Sequence, residues 1–179
     1  MLKRIRRLLS RRRPDPFLEL PDIAIRPIGI VRNDIEVPQA AGFDWQQVTS
    51  RIVVRPELAD ALLGLDTYSH VIVLFWPHLV PEDVRGSKRR LHPMDDPQNP
   101  LQGILATRSQ IRFNPILTTA VPLLGIKKNI VRVKGLDAVN GSPVLDLKPY
   151  NPYFDAVVEG KVPGWLAEAA ERRRAVSEK

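Results

Sequence analysis

Seventeen prolines are spread through the 179 residues, and they constrain the fold more than any other feature. A proline inside a helix removes one backbone hydrogen bond and clashes with the preceding turn, so long helices are disfavoured over most of the chain. Short strands joined by turns are what such a sequence can build. Hydrophobic residues make up 44%, which at this length supports one domain with a sizeable core.

The local patterns agree with a β-rich chain. Ile23–Asn33 is β-branched, alternates in places, and reads as a bent strand or a first strand pair. Ser50–Pro56 is a short strand. Pro56–Asp66 is the clearest helix of the body: Pro56 can open it, Gly64 can close it, and Leu58, Leu62 and Leu63 share a face. Ser69–His78 is nearly continuously apolar and reads as a strand buried on both faces. Pro81–Gln102 reads as one loop, longer than most inside a compact domain. It carries Arg85, Lys88, Arg89 and Arg90, with His92 just behind. Gly103–Ser109 and Ile116–Ile126 read as strands flanking Gln110–Pro115, and Asn129–Val139 alternates as a further strand. Asn140-Gly141 is a strong hairpin signal. The tail from Gly164 is helix-prone, with Trp165, Leu166 and Ala169 on one side. The expectation is a mostly β protein, a closed or partly closed barrel with a few short helices. A basic arm spans residues 1–20, the barrel domain 21–160, and a helical tail 161–179.

Charge is unevenly placed. Seven of the 27 Lys and Arg residues lie in "MLKRIRRLLSRRR", leaving 20 in the remainder against 20 acidic residues. The net charge of +7 therefore resides in one arm. A secretory signal peptide is not expected there, because the arm has no apolar core and no small-residue cleavage site. A disordered terminus, a transit peptide and a membrane-surface helix built on Ile5, Leu8 and Leu9 all fit its composition. Phosphate is its natural partner, since each neutralised phosphate releases a counterion. The chain has no cysteine, which excludes disulfides, thiolate zinc sites and cysteine nucleophiles. It has no apolar run long enough to span a bilayer, and a cytoplasmic protein without stable membrane association is expected.

The commonest nucleotide-binding motifs are missing: there is no G-x-G-x-x-G after a strand and no P-loop. His70, His78 and His92 lack zinc-ligand spacing, so no metal site is expected. Four groups of residues could carry chemistry. Arg108 and Arg112, with Asn114, lie in an otherwise core-like stretch; on a strand both guanidinium groups would share a face and could clamp a carboxylate or phosphate. A surface ion-pair network explains them equally well. Asp137, Asp146, Lys148 and Tyr150 gather within one turn-rich segment, where Asp146 and Lys148 would share a strand face, either as a site or as an edge-strand ion pair. His70 and His78 bracket the apolar strand, as site residues or structural hydrogen-bonders. The basic loop before Asp95-Asp96 is a solvated surface or an anion site.

The order of the motifs is more specific than any one of them. "LLGLDTYSHVIVLFWPH", then "ILATRSQIRFNPI", then "VKGLDAVNGSPVLDLKPYNPYFD" resemble the TsaA/TrmO family of tRNA methyltransferases, and with "IRPIGIVRN" the resemblance covers Ile23 to Asp155. It implies a small antiparallel β-barrel, a homodimer, and S-adenosyl-L-methionine bound without a Rossmann fold. It also implies methylation of N6 of threonylcarbamoyl-adenosine beside the tRNA anticodon. The cofactor contacts implied fall on Pro38, Gln39 and Ala40, on His78 and Leu79, on Arg108, on Thr118, and on Lys134, Gly135, Leu136 and Asp137. For the chemistry, Asp137 and Asp146 are the candidate proton acceptors, while Lys148 and Tyr150 could orient the base or meet phosphate. The chain departs from the family pattern at Phe113, where the pattern has proline, and at Leu117, where it has glycine; both changes would reshape the pocket. A non-catalytic RNA-binding barrel and a methyltransferase for a small molecule are the alternative readings.

Overall fold

β-Branched residues at alternate positions decide the architecture, because they pack one face of each strand into a shared interior. The structure, a computed structural model, describes residues 20–40 and 42–177. The basic arm, apart from Leu20, lies outside the described residues. Eight strands are described: β1 Gly29–Arg32, β2 Thr49–Val54, β3 His70–Phe75, β4 Arg90–Leu91, β5 Gln102–Gly103, β6 Leu117–Lys127, β7 Ile130–Lys134 and β8 Pro143–Pro149. Six of them close into an antiparallel barrel in the order β1-β2-β7-β6-β3-β8, and β4 and β5 form a separate two-stranded ribbon. Two α-helices follow, α1 Pro152–Asp155 and α2 Gly164–Ser177.

Paired valines fill the barrel. Val71 lies opposite Val121, and Ile52 opposite both Val31 and Val131; all are fully or nearly fully buried. Phe75 and Val144 close one end of this core. Gly29 is required where β1 crosses β2, since a Cβ there would stand 2.6 Å from the Val53 carbonyl oxygen.

Several local expectations are corrected. Pro56–Leu62 is a 3-10 helix, and Gly64 at φ 81° separates it from a second short one at Leu65–Thr67. Regular structure in the first expected strand is confined to Gly29–Arg32; Ile23 and Ile25 are exposed. β3 is not buried on both faces: Val71, Val73 and Phe75 point inward, while Ile72 and Leu74 on the outside are half-buried. Of Gly103–Ser109 only Gly103, the end of β5, is strand; a short 3-10 turn follows at Ile104–Ala106, so Arg108 and Arg112 do not share a strand face. Asn140-Gly141 makes a turn, with Gly141 at φ 82°, but not a hairpin. Its amides donate to the carbonyls of Ile35 and Val31, which lays the chain along β1 as it enters β8. A tight hairpin falls instead at Lys128-Asn129, between Lys127 and Ile130.

Candidate functional site

The antiparallel order brings six strand ends to one mouth of the barrel: the C-terminal ends of β1, β3 and β7 and the N-terminal ends of β2, β6 and β8. A cavity of about 810 Å³ opens there, within the roughly 300–1,000 Å³ typical of small-molecule sites. Phe75, Leu117 and Ser142 come from the strand ends, Leu105 and Ile111 from the loop before β6, and Leu79 and Val80 from the loop after β3.

Asp137 is placed by alternation. Leu136 and Ala138 on either side are buried in the core, which turns Asp137 outward to the mouth. The Asn33 side-chain amide donates to Ser50 Oγ at 2.9 Å and to the Ala138 carbonyl at 2.8 Å, fastening this segment to β1 and β2. The amide of Gly135 donates to the Val48 carbonyl. Thr119 Oγ1 donates to Asp137 Oδ1 at 2.5 Å, and among the described residues Oδ2 has no hydrogen-bond partner.

Arg108 reaches the same cavity from the other side. Its Nη2 donates to the Thr118 carbonyl, leaving the rest of the guanidinium fork for an anion. The loop that carries it is tied down by Gly86 N–H to the Ile111 carbonyl, by Ile104 N–H to the Arg89 carbonyl, and by Arg112 Nη1 to the Thr107 carbonyl at 3.4 Å. Arg112 thus holds the loop that presents Arg108.

The expected residues separate cleanly. Pro38, Gln39, Leu79, Arg108 and Asp137 line the cavity. Thr118 contributes through its carbonyl. Ala40 is exposed beside Gln39 without lining the cavity, Leu136 is core, and Lys134 is an exposed residue of β7 paired with Thr49. Gly135, at φ 84°, lies where a Cβ would meet the Gln46 amide at 3.0 Å. His78 is half-buried behind the mouth, with its Nδ1 buried and unpartnered and its Nε2 against Gly141. Asp146, Lys148 and Tyr150 are not brought to the cavity. Asp146 and Lys148 lie beside Leu74 and Ile72 on the outer face of the barrel, joined by a 2.6 Å ion pair. The Lys148 ammonium is held above its ordinary pKa, first by the hydrogen bond to Asp146 and then by its charge. The Tyr150 ring lies 6.1 Å from that of His70.

Sequence reading missed Trp45, Met94, Trp165 and Leu166, all on the cavity wall. Residues with no motif of their own reach the site only through folding, so no local signal marks them. Lys88 and Asp95 of the basic loop also line it, which places that loop at the rim. Among the described residues, no group of three or more His, Asp or Glu side chains could hold a metal ion, and no helix is long and apolar enough to cross a membrane.

A closed six-stranded antiparallel barrel, with a ligand-sized cavity at one mouth flanked by a fixed arginine and a fixed aspartate, is the class of protein that this geometry defines. Residues 31–156 match the model of the tRNA-methyltransferase O N-terminal domain, and the chain belongs to that family. It is 36% identical over 145 residues to a probable S-adenosyl-L-methionine-binding protein of Methanothermobacter thermautotrophicus, covering 76% of this chain and 96% of that one. It is 32% identical over 139 residues to the tRNA (adenine(37)-N6)-methyltransferase of Escherichia coli, covering 73% of this chain but 58% of that enzyme. The crystal structure of TrmO from Pseudomonas aeruginosa superposes with a TM-score of 0.61 at 28% identity, over 79% of this chain and 62% of that one.

Proposed function

We propose that the protein is an S-adenosyl-L-methionine-dependent methyltransferase acting on N6 of a tRNA adenosine beside the anticodon, with threonylcarbamoyl-adenosine as the target. One observation carries the reading. Pro38, Gln39, Leu79, Arg108 and Asp137 are spread over 100 residues of sequence, yet they meet on one cavity. The donor set suits the cofactor, which is a zwitterion with a sulfonium. The walls are largely apolar, Arg108 and Lys88 supply positive charge, and Asp95 and Asp137 supply negative charge.

When bound, S-adenosyl-L-methionine supplies an electrophilic methyl group. The chain's own residues have three tasks. Arg108 binds a carboxylate, held in place by the Thr118 carbonyl. Leu79, Leu105 and Leu117 give the cavity an apolar wall against which the reactants are positioned, an effect that can lower a barrier by about 7–11 kcal/mol. Asp137 takes the N6 proton, because an amide-like nitrogen is a poor nucleophile while it keeps that proton. Asp146, Lys148 and Tyr150, which do not line the cavity, take no part in the transfer step. Lys88 at the rim, with the exposed Arg89 and Arg90 next to it in the chain, offers positive charge suited to tRNA phosphates.

The test is transfer of labelled methyl from S-adenosyl-L-methionine to tRNA, combined with calorimetry on Arg108→Ala. Loss of a charge-assisted hydrogen bond should raise the cofactor Kd about tenfold or more. Unchanged binding and turnover would remove Arg108 from the site. Cofactor binding without label in tRNA would favour the small-molecule substrate, and no cofactor binding by the wild type would favour the non-catalytic barrel.

A second copy of the chain is the proposed partner. Tyr153, Phe154 and Val158 are 94%, 84% and 98% exposed, and such a patch is costly to leave in water. Sedimentation should give the mass of two chains; a single-chain mass at micromolar concentration would dismiss the dimer.

A further inference from the structure

One wall of the cavity comes from outside the family match, which ends at residue 156. Pro163, Trp165 and Leu166 line the cavity at the start of α2. The helix is anchored there: Ala169 is 3% exposed, and Arg172 Nη2 donates to Asn99 Oδ1 at 2.6 Å and lies 3.8 Å from Asp96. Asn99 is itself 1% exposed, and its Nδ2 donates to the Pro93 carbonyl at 2.9 Å. Through Asn99, α2 is joined to the turn that carries Met94 and Asp95. Both of these residues line the cavity at positive φ, 65° and 54°, a conformation side chains rarely adopt and one that clusters at ligand sites.

The three tryptophans differ in their surroundings. Trp45 packs edge-to-face on Phe43 at 5.0 Å. Arg85 stands 5.1 Å over Trp76. Trp165 is half-buried on the cavity wall, and no ring or cation among the described residues stacks on it. An indole held at the edge of a ligand cavity by a stapled helix is a ready face for a planar ring.

We propose that Trp165 is a binding residue that stacks on a purine, the adenine ring of the cofactor or of the target nucleoside. The inference rests on the methyltransferase reading, since both of its ligands carry adenine. Stacking needs only a π-face, and Trp offers the largest one. Phe has a smaller face of the same kind; Ala has none. Arg172 acts as a positioning residue, because it holds the helix that presents the indole.

The experiment uses the full chain as wild type, Trp165→Ala, Trp165→Phe and Arg172→Ala. Calorimetric Kd for S-adenosyl-L-methionine and KM for tRNA are measured separately, with melting temperature as the control for folding. If the purine is the cofactor's, Trp165→Ala raises the cofactor Kd about tenfold and leaves the tRNA KM alone; if it is the substrate's, the tRNA KM rises instead. In either case Trp165→Phe recovers most of the loss, and Arg172→Ala moves the same quantity in the same direction. Trp165→Ala with both quantities within twofold of wild type overturns the proposal and leaves the methyltransferase reading standing. An equal loss in Trp165→Phe and Trp165→Ala also overturns it, since stacking would then not be the cause. A wild type that binds neither ligand removes the methyltransferase reading and this inference with it.

Discussion

Asp137→Asn should lower the rate of methyl transfer by about 100-fold or more while leaving the protein folded, because a positioned proton acceptor contributes typically 10²–10⁴-fold. The substitution is nearly isosteric and keeps an oxygen for the Thr119 hydroxyl, which donates to Asp137 Oδ1 at 2.5 Å. It removes only the negative charge and the ability to take a proton. Asp137 is exposed, and substitutions at such positions usually change stability by no more than about 0.5 kcal/mol. The melting temperature should therefore stay near that of the wild type while kcat collapses. Asp146→Asn is the comparison. Asp146 faces Lys148 on the outer wall, away from the cavity, so its loss should leave kcat within a few-fold of wild type. If Asp137→Asn keeps full activity and Asp146→Asn does not, the outer face is the reacting one.

Phe75→Ala should give the largest loss of stability. Phe75 is 1% exposed, lies opposite Leu117 on β6 and Val144 on β8, and forms the floor between the barrel core and the cavity. Truncating a buried phenylalanine costs about 3–5 kcal/mol, through lost transfer energy and the void left behind. Against a total stability of about 5–15 kcal/mol, that is a large share. For a chain of this size each kcal/mol shifts Tm by about 2–4 °C, so a fall on the order of 10 °C is expected by thermal denaturation. Phe75→Leu should cost far less, since it keeps most of the volume. The void would also join the cavity above it and loosen the ligand. A Tm within about 2 °C of wild type for Phe75→Ala would mean that the barrel end is not packed as described.

What was legible beforehand depended on how local the determinant is. Val71, Val73 and Phe75 occupy alternate positions of one short segment, so a strand there follows from the residues alone. The status of its outer face does not. Whether Ile72 and Leu74 are covered depends on which strands close beside them, and between β6 and β8 they stay half-buried. Pro56–Leu62 has a helical pattern of leucines, but only Leu62 is fully buried while Leu58 packs on the core part-exposed, and the chain turns at Gly64 before an α-helix can repay its nucleation. Asn140-Gly141 has the preferred residues for a tight turn; what the turn joins is set by hydrogen bonds to Val31 and Ile35 more than 100 residues earlier.

The site divides in the same way. The ordered motifs identified the family and assigned Arg108 and Asp137 to the cofactor or the chemistry, because those side chains lie inside long matched runs. They also grouped Asp146 and Lys148 with Asp137, since all three lie in one run; a strand sends its neighbouring side chains to opposite faces, and barrel closure puts Asp146 and Lys148 outside. Trp165 and Met94 carried no signal, because their place on the cavity is made by Arg172 meeting Asn99 across 73 residues. The sequence alone determined the β-rich class and the family, and it singled out five residues that line the cavity, Pro38, Gln39, Leu79, Arg108 and Asp137. Only the tertiary structure decided which faces point inward and what covers the mouth. The physical reason is range: strand propensity and motif spacing act over a few residues, whereas a closed barrel and its cavity exist only once distant strand ends meet.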